Sequence, residues 1–300
     1  MRAVRFHQYG DPQVLAIEDA PEPHAGPGQL RIRVRAASVN PIDWKIRAGY
    51  LAEMMPTTFP AIPGSDAAGV VDEVGDGTSG VAIGDVVFGL AVSGSAAELA
   101  VLGAWAQVPA PWSLEQAAAA GLVSATAIAG LDTLGDLAGR TILLEGAAGG
   151  VGSAAVEIAV ARGARVIGTA SEVHHDFLRS LGATPVTYGD GLASRVAAVA
   201  PDGVDVALDL AGSGSLADLV KIVGDPAKVA TVADFAAAAL GVTVVQGAAN
   251  AATNLALAAE LGARGSYTPR IEATFPMERT AEAHARAQAG HTEGKVVLTL

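Results

Sequence analysis

The glycine-rich stretch at residues 141–152, TILLEGAAGGVG, constrains the fold more than any other part of this chain. A short apolar run breaks into four glycines and continues as an Ala-rich pattern, which predicts a strand, a tight turn and the start of a helix. Three of the glycines, Gly146, Gly149 and Gly152, recur at intervals of three. Backbone without Cβ atoms can turn sharply and bring free N–H groups and the positive end of the helix dipole against a diphosphate.

The residues after these glycines support a dinucleotide-binding turn, which a glycine cluster alone does not prove because many α/β proteins turn tightly after a strand. Residues 154–161 have the composition of a helix, and Gly163 stands where that helix would end. Residues 165–169 then form a second apolar run. This run ends about 20 residues after the glycines, where such folds contact the adenosine ribose.

Composition and charge limit what else the chain can be. Three hundred residues predict about two domains, and 51% apolar residues are enough for buried cores. The 19 basic and 31 acidic side chains give a net charge of −12, which argues against broad binding to nucleic acid or an anionic membrane. The N-terminal residues lack an apolar signal segment, so we expect a cytoplasmic protein. The absence of cysteine excludes disulfides, thiol nucleophiles and cysteine-ligated metals.

The pattern of predicted elements changes near residue 111. The earlier part has short β-type segments at residues 4–6, 14–17, 30–36, 69–74, 86–89 and 97–101. The later part alternates helices with strands at residues 141–144, 165–169, 185–187, 204–210, 228–232 and 242–246. A β-rich domain followed by a doubly wound parallel sheet is therefore predicted, which is an α/β fold class. The last stretch, residues 270–300, is expected to return to the first domain.

Five short motifs extend over nearly the whole chain. They are ASVNPID at 37–43, PGSDAAGVV at 63–71, GDVVFG at 84–89, the glycine turn at 146–152, and GKVVL at 294–298. In this order they resemble the medium-chain dehydrogenase/reductase superfamily. Within it they are most similar to the zinc-free quinone oxidoreductase branch, the zeta-crystallin-like proteins.

The resemblance implies two domains and an assembly. A GroES-like catalytic domain would comprise residues 1–121 and 264–300, and a Rossmann dinucleotide-binding domain would comprise residues 122–263, with an active cleft where the two meet. Family members dimerise by joining sheet edges across a two-fold axis. The apolar, β-branched segment 242–246 would be such an edge, so we expect a homodimer formed through it.

The same motifs predict an enzyme without a metal. Zinc-dependent relatives have a Cys at the position of Asn40 and a His at the position of Ser65. An amide and a hydroxyl do not replace a thiolate and an imidazole as zinc ligands. Asp43 and Asp66 remain as acids, and we interpret them as hydrogen-bonding groups rather than as metal ligands.

The choice of cofactor depends on the residues directly after the second strand of the nucleotide domain. Asp or Glu at that strand end favours NAD, whereas neutral donors and cations favour the 2′-phosphate of NADP. Ser171 and His174, with Tyr188 as the aromatic residue beside the phosphate, resemble the NADP pattern, so NADPH is the predicted cofactor. Glu172 would favour NAD if its carboxylate pointed inward. The alternative is that three residues form only the solvated face of a helix: His174, His175 and Arg179.

Hydride transfer from a reduced nicotinamide needs hydrogen-bond donors where negative charge develops on the acceptor oxygen. The segment after the first motif offers the amide of Asn40, the cation of Lys45 and the phenol of Tyr50. The resemblance implies that Asn40 lies near the nicotinamide and Tyr50 near the substrate. The alternatives are that Asn40 holds a turn before Pro41 and that Lys45 only faces solvent.

The resemblance also implies a set of cofactor-binding residues. They are Thr126, Gly146, Ala148, Gly149, Gly150, Val151, Gly152, Ser171, His174, Tyr188, Gln246, Gly247 and Lys295. Thr126 would lie near the nicotinamide, the backbone at Gln246 and Gly247 would bind its carboxamide, and Lys295 would stabilise the cleft. An ordinary helix-interior threonine is the alternative for Thr126.

The expected function is NADPH-dependent reduction of quinones or α,β-unsaturated carbonyl compounds by hydride transfer. One alternative is an alcohol or carbonyl dehydrogenase of the same superfamily, which requires zinc. A second is a structural or regulatory protein that binds NADPH without turnover. A shared fold does not decide among these chemistries.

Overall fold

The structure is a computed structural model that describes residues 1–234, 237–245, 250–290 and 292–300. The described chain divides into two units. Unit 1 comprises Met1–Leu122, Ala251–Ala263 and Pro269–Leu300, and unit 2 comprises Val123–Asn250 and Arg264–Thr268.

Helices and strands are named in chain order. The strands are β1 (Arg2–Arg5), β2 (Ala16–Asp19), β3 (Leu30–Val39), β4 (Asp66–Val74), β5 (Val86–Ala91), β6 (Leu99–Gln107), β7 (Thr141–Glu145), β8 (Arg165–Thr169), β9 (Thr184–Val186), β10 (Val206–Asp209), β11 (Val229–Thr231), β12 (Thr243–Val244), β13 (Ile271–Pro276) and β14 (Lys295–Thr299). The α-helices are α1 (Pro41–Ala48), α2 (Leu114–Thr133), α3 (Gly150–Ala161), α4 (His175–Ser180), α5 (Leu192–Val199), α6 (Leu216–Val223), α7 (Ala251–Ala263) and α8 (Thr280–Ala289).

Unit 1 is built on a mostly antiparallel sheet with the order β13-β14-β3-β4-β5-β6 among the described strands. Strand β3 also pairs with β6, which curls the sheet towards closure. Along β3, the buried Leu30, Ile32 and Val34 alternate with arginines, as expected for a strand with one face on the core. These side chains pack with residues from β4, β6 and β14 in one apolar cluster.

The C-terminal strand completes this sheet. Strand β14 pairs antiparallel with β3, and the register places Val296 opposite Val39. It also pairs in parallel with β13 on its other side. The last stretch thus lies in unit 1, and it brings Lys295 beside the end of β3.

Unit 2 contains a parallel sheet with the order β12-β11-β10-β7-β8-β9 in the described part of the chain. This is the doubly wound order: strands β8 and β9 are added on one side of β7, and strands β10, β11 and β12 are added on the other. The switch point lies between β7 and β10. Every residue of β7 is buried, as expected for a central parallel strand covered on both faces. The predicted α/β fold class is confirmed.

Helix α2 is the long apolar helix that comes after the β-rich segments. Its start is capped, because the N–H of Gln116 donates to Oγ of Ser113 at 3.2 Å and the N–H of Ser113 donates to Oε1 of Gln116 at 3.0 Å. Among the described helices, only α2 is long and apolar enough to cross a membrane by length and composition. Within the protein, 67% of its apolar window is buried, as in the core helix of a globular domain.

Several predicted strands have different bounds in the structure, among them the segments 14–17 and 242–246. The strand predicted at 14–17 begins only at Ala16, because Pro12 starts a 3-10 turn that ends at Val14. The strand predicted at 242–246 pairs over two residues, those of β12, and its last residue lies outside the described residues.

Candidate active site

Helix α1 begins at a polar corner of unit 1 directly after β3. Asn40 is its N-cap residue, and Pro41 occupies the first helical position, where a missing N–H is harmless. Oδ2 of Asp43 accepts a hydrogen bond from the backbone N–H of Asn40 at 2.7 Å. The helix ends at Gly49, whose φ of 83° is the left-handed conformation that glycine adopts freely. These signals set the start, direction and end of α1.

Six side chains at this corner form a cluster, named here the buried polar network. Its members are Ser38, Asn40, Asp43, Ser65, Asp66 and Lys295. The amide of Asn40 connects them, because Nδ2 donates to Oδ1 of Asp66 at 2.8 Å and Oδ1 accepts from Nζ of Lys295 at 2.6 Å. Nδ2 also lies 3.3 Å from Oγ of Ser38 and 3.2 Å from Oδ2 of Asp43. Both amide groups of Asn40 are therefore bonded inside the network, which fixes its orientation.

Asp66 is bonded from two further sides. Its Oδ1 accepts from the hydroxyl of Ser38 at 2.6 Å, and its Oδ2 accepts from the backbone N–H of Leu122 at 2.7 Å. Gly121 permits the second bond, because a Cβ atom there would stand 2.7 Å from Cβ of Asp66. The close approach of backbone at the start of α2 thus depends on this glycine.

Lys295 supplies the positive charge of the network. Its Nζ donates to the carbonyl oxygen of Val39 at 2.9 Å as well as to Asn40, and its side chain is buried. A buried ammonium is tolerated when hydrogen bonds and opposite charges accompany it, and Asp43 and Asp66 provide that charge.

Burial dominates the ionisation of the three charged members. Loss of solvent raises the pKa of Asp43 to about 6, with a further upward effect from the charge of Asp66. The hydroxyl of Ser65, the N–H of Asn40 and the charge of Lys295 act in the opposite direction. Burial also raises the pKa of Asp66 and lowers the pKa of Lys295, while their mutual attraction opposes both shifts.

The other two predicted catalytic residues lie outside the network, around Trp44. Nζ of Lys45 lies 5.8 Å from the centroid of the Trp44 ring, and Tyr50 packs edge-on against the same ring with centroids 5.9 Å apart. Tyr50 is 69% exposed, and the side chain of Lys45 is half-buried. The phenol of Tyr50 is accessible to a small molecule, whereas the amide of Asn40 is enclosed.

The glycine turn of unit 2 has the geometry that its sequence predicts. Gly146 adopts a φ of 74°, and its N–H donates to Oγ1 of Thr169 at 3.1 Å. The N–H of Ala147 donates to the carbonyl oxygen of Thr169 at 3.0 Å, so the turn is held to the end of β8. A Cβ atom at Gly152 would stand 2.2 Å from the carbonyl oxygen of Gly146. This close approach explains why a glycine occupies the third position of α3.

The start of α3 provides the donors that a diphosphate needs. Gly149 is the N-cap, and among the described residues a Cβ atom there would meet only the carbonyl oxygen of Gly146, at 3.6 Å. The next three residues, Gly150, Val151 and Gly152, carry N–H groups that precede the first intrahelical bond, which Ser153 donates to Gly149. Ala148 lies buried within the same turn. Open space among the described residues at the N-cap and N–H groups without an intrahelical acceptor fit a dinucleotide diphosphate.

The residues predicted to select the 2′-phosphate lie after two neighbouring strands. Strands β8 and β9 are parallel partners, and the N–H of Ala170 donates to the carbonyl oxygen of Val186 at 3.1 Å. Ser171 lies just beyond β8, and its carbonyl oxygen accepts from the N–H of His174 at 3.0 Å. Tyr188 lies just beyond β9 and is 45% exposed. Ser171 and Tyr188 thus stand after adjacent strand ends, at the edge of the sheet where ligands of this fold bind.

Two charged residues considered for this region face solvent. Glu172 is exposed in the first turn after Ser171. Arg179 is exposed on α4 and forms an ion pair with Asp176, with Nη1 and Oδ1 2.6 Å apart. Arg179 therefore belongs to the solvated helix face that the sequence left as an alternative.

Sequence reasoning missed Arg195, which holds the loop that carries Tyr188. Its guanidinium donates to the carbonyl oxygens of Thr187, Tyr188, Gly189 and Asp190, at 2.7 to 3.1 Å. No sequence motif identifies such a role, because the acceptors are backbone atoms. Arg195 fixes the path of this loop through four bonds from one side chain.

Glu145 ends β7 immediately before the turn, and it is 2% exposed. Its Oε1 accepts from the hydroxyl of Ser213 at 2.6 Å. Asp209 ends the neighbouring β10, where its Oδ1 accepts from the N–H groups of Ala211 and Gly212 and its Oδ2 from Oγ1 of Thr231. The acids at these strand ends thus hold the loops around the switch point.

The remaining predicted cofactor residues are placed differently. Thr126 is half-buried in the interior of α2. Lys295 lies in the buried polar network of unit 1. Gln246 and Gly247 lie outside the described residues.

Comparisons with known proteins agree with this architecture. Residues 26–112 match the alcohol dehydrogenase GroES-like domain, and residues 181–298 match the zinc-binding dehydrogenase family. Human quinone oxidoreductase is 31% identical over 100% of this chain and 98% of that protein, and the rat protein is 32% identical over the same shares. The chain belongs to the quinone oxidoreductase branch of the medium-chain dehydrogenase/reductase superfamily. It is an oxidoreductase of a nicotinamide-dependent family, as its motifs predict.

Solved structures of the branch have the same fold. Quinone oxidoreductase from Coxiella burnetii matches 100% of this chain and 99% of its own, with a TM-score of 0.89 and 29% identity. A mycobacterial protein solved in complex with NADPH matches 100% of both chains, with a TM-score of 0.86 and 26% identity.

The prediction that the protein binds no zinc rests on two residues of this chain, Asn40 and Ser65. Over the described residues, no group of three or more His, Cys, Asp or Glu is arranged to hold a metal ion. The amide of Asn40 is bonded to Asp66, and the hydroxyl of Ser65 is bonded to Asp43. Metal independence stays a prediction that elemental analysis tests.

Proposed function

We propose that the protein is an NADPH-dependent, zinc-free oxidoreductase that reduces quinones or α,β-unsaturated carbonyl compounds by hydride transfer. The observation that carries the proposal is the glycine turn between β7 and α3. There, an N-cap at Gly149 with open space among the described residues and three helical N–H groups stand at the carboxyl end of a central parallel strand. The names of the human and rat relatives support the choice of acceptor.

The preference for NADPH rests on the loops after β8 and β9. Ser171 offers a hydroxyl, His174 an imidazole and Tyr188 an exposed ring, all without an acid directly at the strand end. Glu172 is exposed one residue further on. The mycobacterial neighbour that binds NADPH supports the same choice.

Reduced nicotinamide, when bound, supplies the hydride. The chain must then bind the acceptor and stabilise negative charge on its oxygen. We assign binding to the accessible phenol of Tyr50 and to the cation of Lys45, which flank the ring of Trp44. Asn40 serves this function indirectly, because its bonded amide anchors the start of the helix that carries Trp44 and Lys45 and that ends just before Tyr50.

We further propose a cytoplasmic homodimer that joins two copies through the sheet edge at residues 242–246. Support comes from β12, the described outer strand, since an edge strand offers unpaired backbone groups to a second copy. The net charge of −12 disfavours nucleic acid and anionic membranes as partners. Light scattering at several concentrations tests the dimer.

Oxidation of NADPH and NADH against matched panels of quinones and enones, with and without a chelator, tests the function. We expect faster oxidation of NADPH and no effect of the chelator. Stoichiometric zinc in active protein would instead favour the alcohol or carbonyl dehydrogenase. Binding of NADPH without turnover on any acceptor would favour a structural or regulatory protein.

A further inference from the structure

Ser65 is the member of the buried polar network that reaches towards solvent. It is half-buried, whereas every other member is at most 4% exposed. Its hydroxyl donates to Oδ1 of Asp43. The second oxygen of that carboxyl, Oδ2, accepts from the backbone N–H and the amide of Asn40 on the inner side. Asp43 is thus enclosed on one side and connected outward through a single hydroxyl.

We propose that Asp43 and Ser65 form a proton-delivery pair, in which the protonated carboxyl of Asp43 gives its proton to Oγ of Ser65 while the Ser65 hydroxyl proton passes to the oxygen of the reduced acceptor. This inference rests on the proposed function. It makes Ser65 a catalytic residue and Asp43 the proton source behind it.

The step balances with reactants already named. Reduction of a quinone or an enone requires a hydride and a proton. The hydride comes from the reduced nicotinamide and forms a C–H or O–H bond at the acceptor, and the electron pair moves to the carbonyl oxygen. The Ser65 O–H and the Asp43 O–H break, a new O–H forms on the acceptor, and the Ser65 O–H forms again. The Asp43 carboxylate then takes a proton from water through Ser65.

Asp43 has the protonation behaviour that the step needs. Burial and the charge of Asp66 raise its pKa to about 6, against the opposing effects of Ser65, Asn40 and Lys295. Both protonation states are then populated near neutral pH. With the carboxyl protonated, Oδ1 can donate to Oγ of Ser65, which frees the hydroxyl proton to point outward.

Asp66 does not compete for this role. Its Oδ1 is bonded to Ser38 and Asn40, and its Oδ2 is bonded to the backbone of Leu122. All of these donors lie inside unit 1, so no hydroxyl connects Asp66 outward. Lys295 likewise bonds only inward, to Val39 and Asn40.

The test compares Ser65→Ala with the matched control Ser95→Ala. Ser95 is a fully buried serine of the same unit whose Oγ has no hydrogen-bond partner among the described residues. Single-turnover reduction of a quinone by bound NADPH is measured from pH 5 to 9, roughly spanning the Asp43 pKa and neutrality. We expect the wild-type rate to fall as pH rises through about 6, the pKa of Asp43. Ser65→Ala lowers the rate about 100-fold at acid pH and removes this fall, whereas Ser95→Ala changes neither.

A second measurement needs no cofactor. Infrared spectra of the unliganded protein should show a carboxylic acid band that titrates with Asp43, is absent from Asp43→Asn, is shifted in Ser65→Ala and is unchanged in Ser95→Ala. A wild type that reduces acceptors while Ser65→Ala keeps its rate and pH profile refutes the proton-delivery pair alone. A wild type that reduces no acceptor refutes the proposed function, and the proton-delivery pair with it.

Discussion

Alanine at Gly152 is expected to damage both stability and nucleotide affinity, whereas alanine at Gly149 is expected to damage affinity alone. Helix propensity by itself favours Gly152→Ala by about 1 kcal/mol. The new Cβ atom, however, would stand 2.2 Å from the carbonyl oxygen of Gly146 and 2.6 Å from two backbone atoms of Ala147. Backbone atoms cannot rotate away as side chains do, so the turn must shift by roughly 1 Å, and overpacking of this kind costs about 1–3 kcal/mol. We expect a net loss of about 1 kcal/mol, and at most about 2 kcal/mol.

The matched change at Gly149 separates stability from binding. Its φ of −70° suits alanine, and the nearest described atom to the new Cβ would be 3.6 Å away. Loss of a favourable N-cap residue costs only about 0.5–1 kcal/mol. The added methyl group fills the space through which a diphosphate approaches, so NADPH affinity should fall at least about tenfold, or 1.4 kcal/mol.

Urea unfolding and calorimetric titration with NADPH measure the two effects on both variants. Folding of Gly149→Ala confirms that any loss of affinity is local. If Gly152→Ala matches the wild type in stability and affinity, the close backbone approach does not exist. If Gly149→Ala binds NADPH as tightly as the wild type, the diphosphate does not lie against this turn.

Three further predictions concern buried charges in unit 1. Lys295→Met should lower the free energy of unfolding in urea by about 3–5 kcal/mol at pH 8, because two buried carboxylates lose their cation. The loss should be smaller at pH 5, where Asp43 is protonated. Equal losses at both pH values would contradict this. Arg47 is buried, and its Nε and Nη1 have no hydrogen-bond partner in the described part of the chain. Arg47→Met should therefore leave the free energy of unfolding unchanged or raise it by about 1–4 kcal/mol. A large loss of stability would refute this. Burial and the charge of Arg47 lower the pKa of His284 to about 3, so the folded state disfavours the proton that the unfolded chain binds below about 6.5. Wild-type stability should therefore fall by up to about 1.4 kcal/mol per unit as pH drops from 6.5 towards 3, and His284→Leu should flatten this slope.

The sequence predicts the central elements of unit 2 better than its edges. Strand β8 has the predicted bounds, and β7 is one residue longer than predicted, because buried parallel strands are continuous apolar runs. The outer strands β9 and β12 are short and differ from the predicted bounds. Their pairing depends on neighbouring strands more than on their own composition.

The candidate site was predictable as a set of residues but not as a network. The first and last motifs single out Asn40 and Lys295, yet their hydrogen bond joins residues 255 positions apart. It exists because β14 pairs with β3 in one register, which local patterns do not specify. The enclosure of Asn40 by Ser38 and Asp66 results from the same pairing. Arg195 was missed because its acceptors are carbonyl oxygens, which every sequence supplies.

Calorimetric titration of the wild-type protein with NADPH and NADH tests most directly whether the turn before α3 holds a nicotinamide dinucleotide. Our account predicts a single site in each chain that binds either nucleotide, with higher affinity for NADPH than for NADH. It also predicts that Gly149→Ala binds both nucleotides more weakly than the wild type does. Absence of heat with either nucleotide, from protein that is folded by circular dichroism, would contradict it.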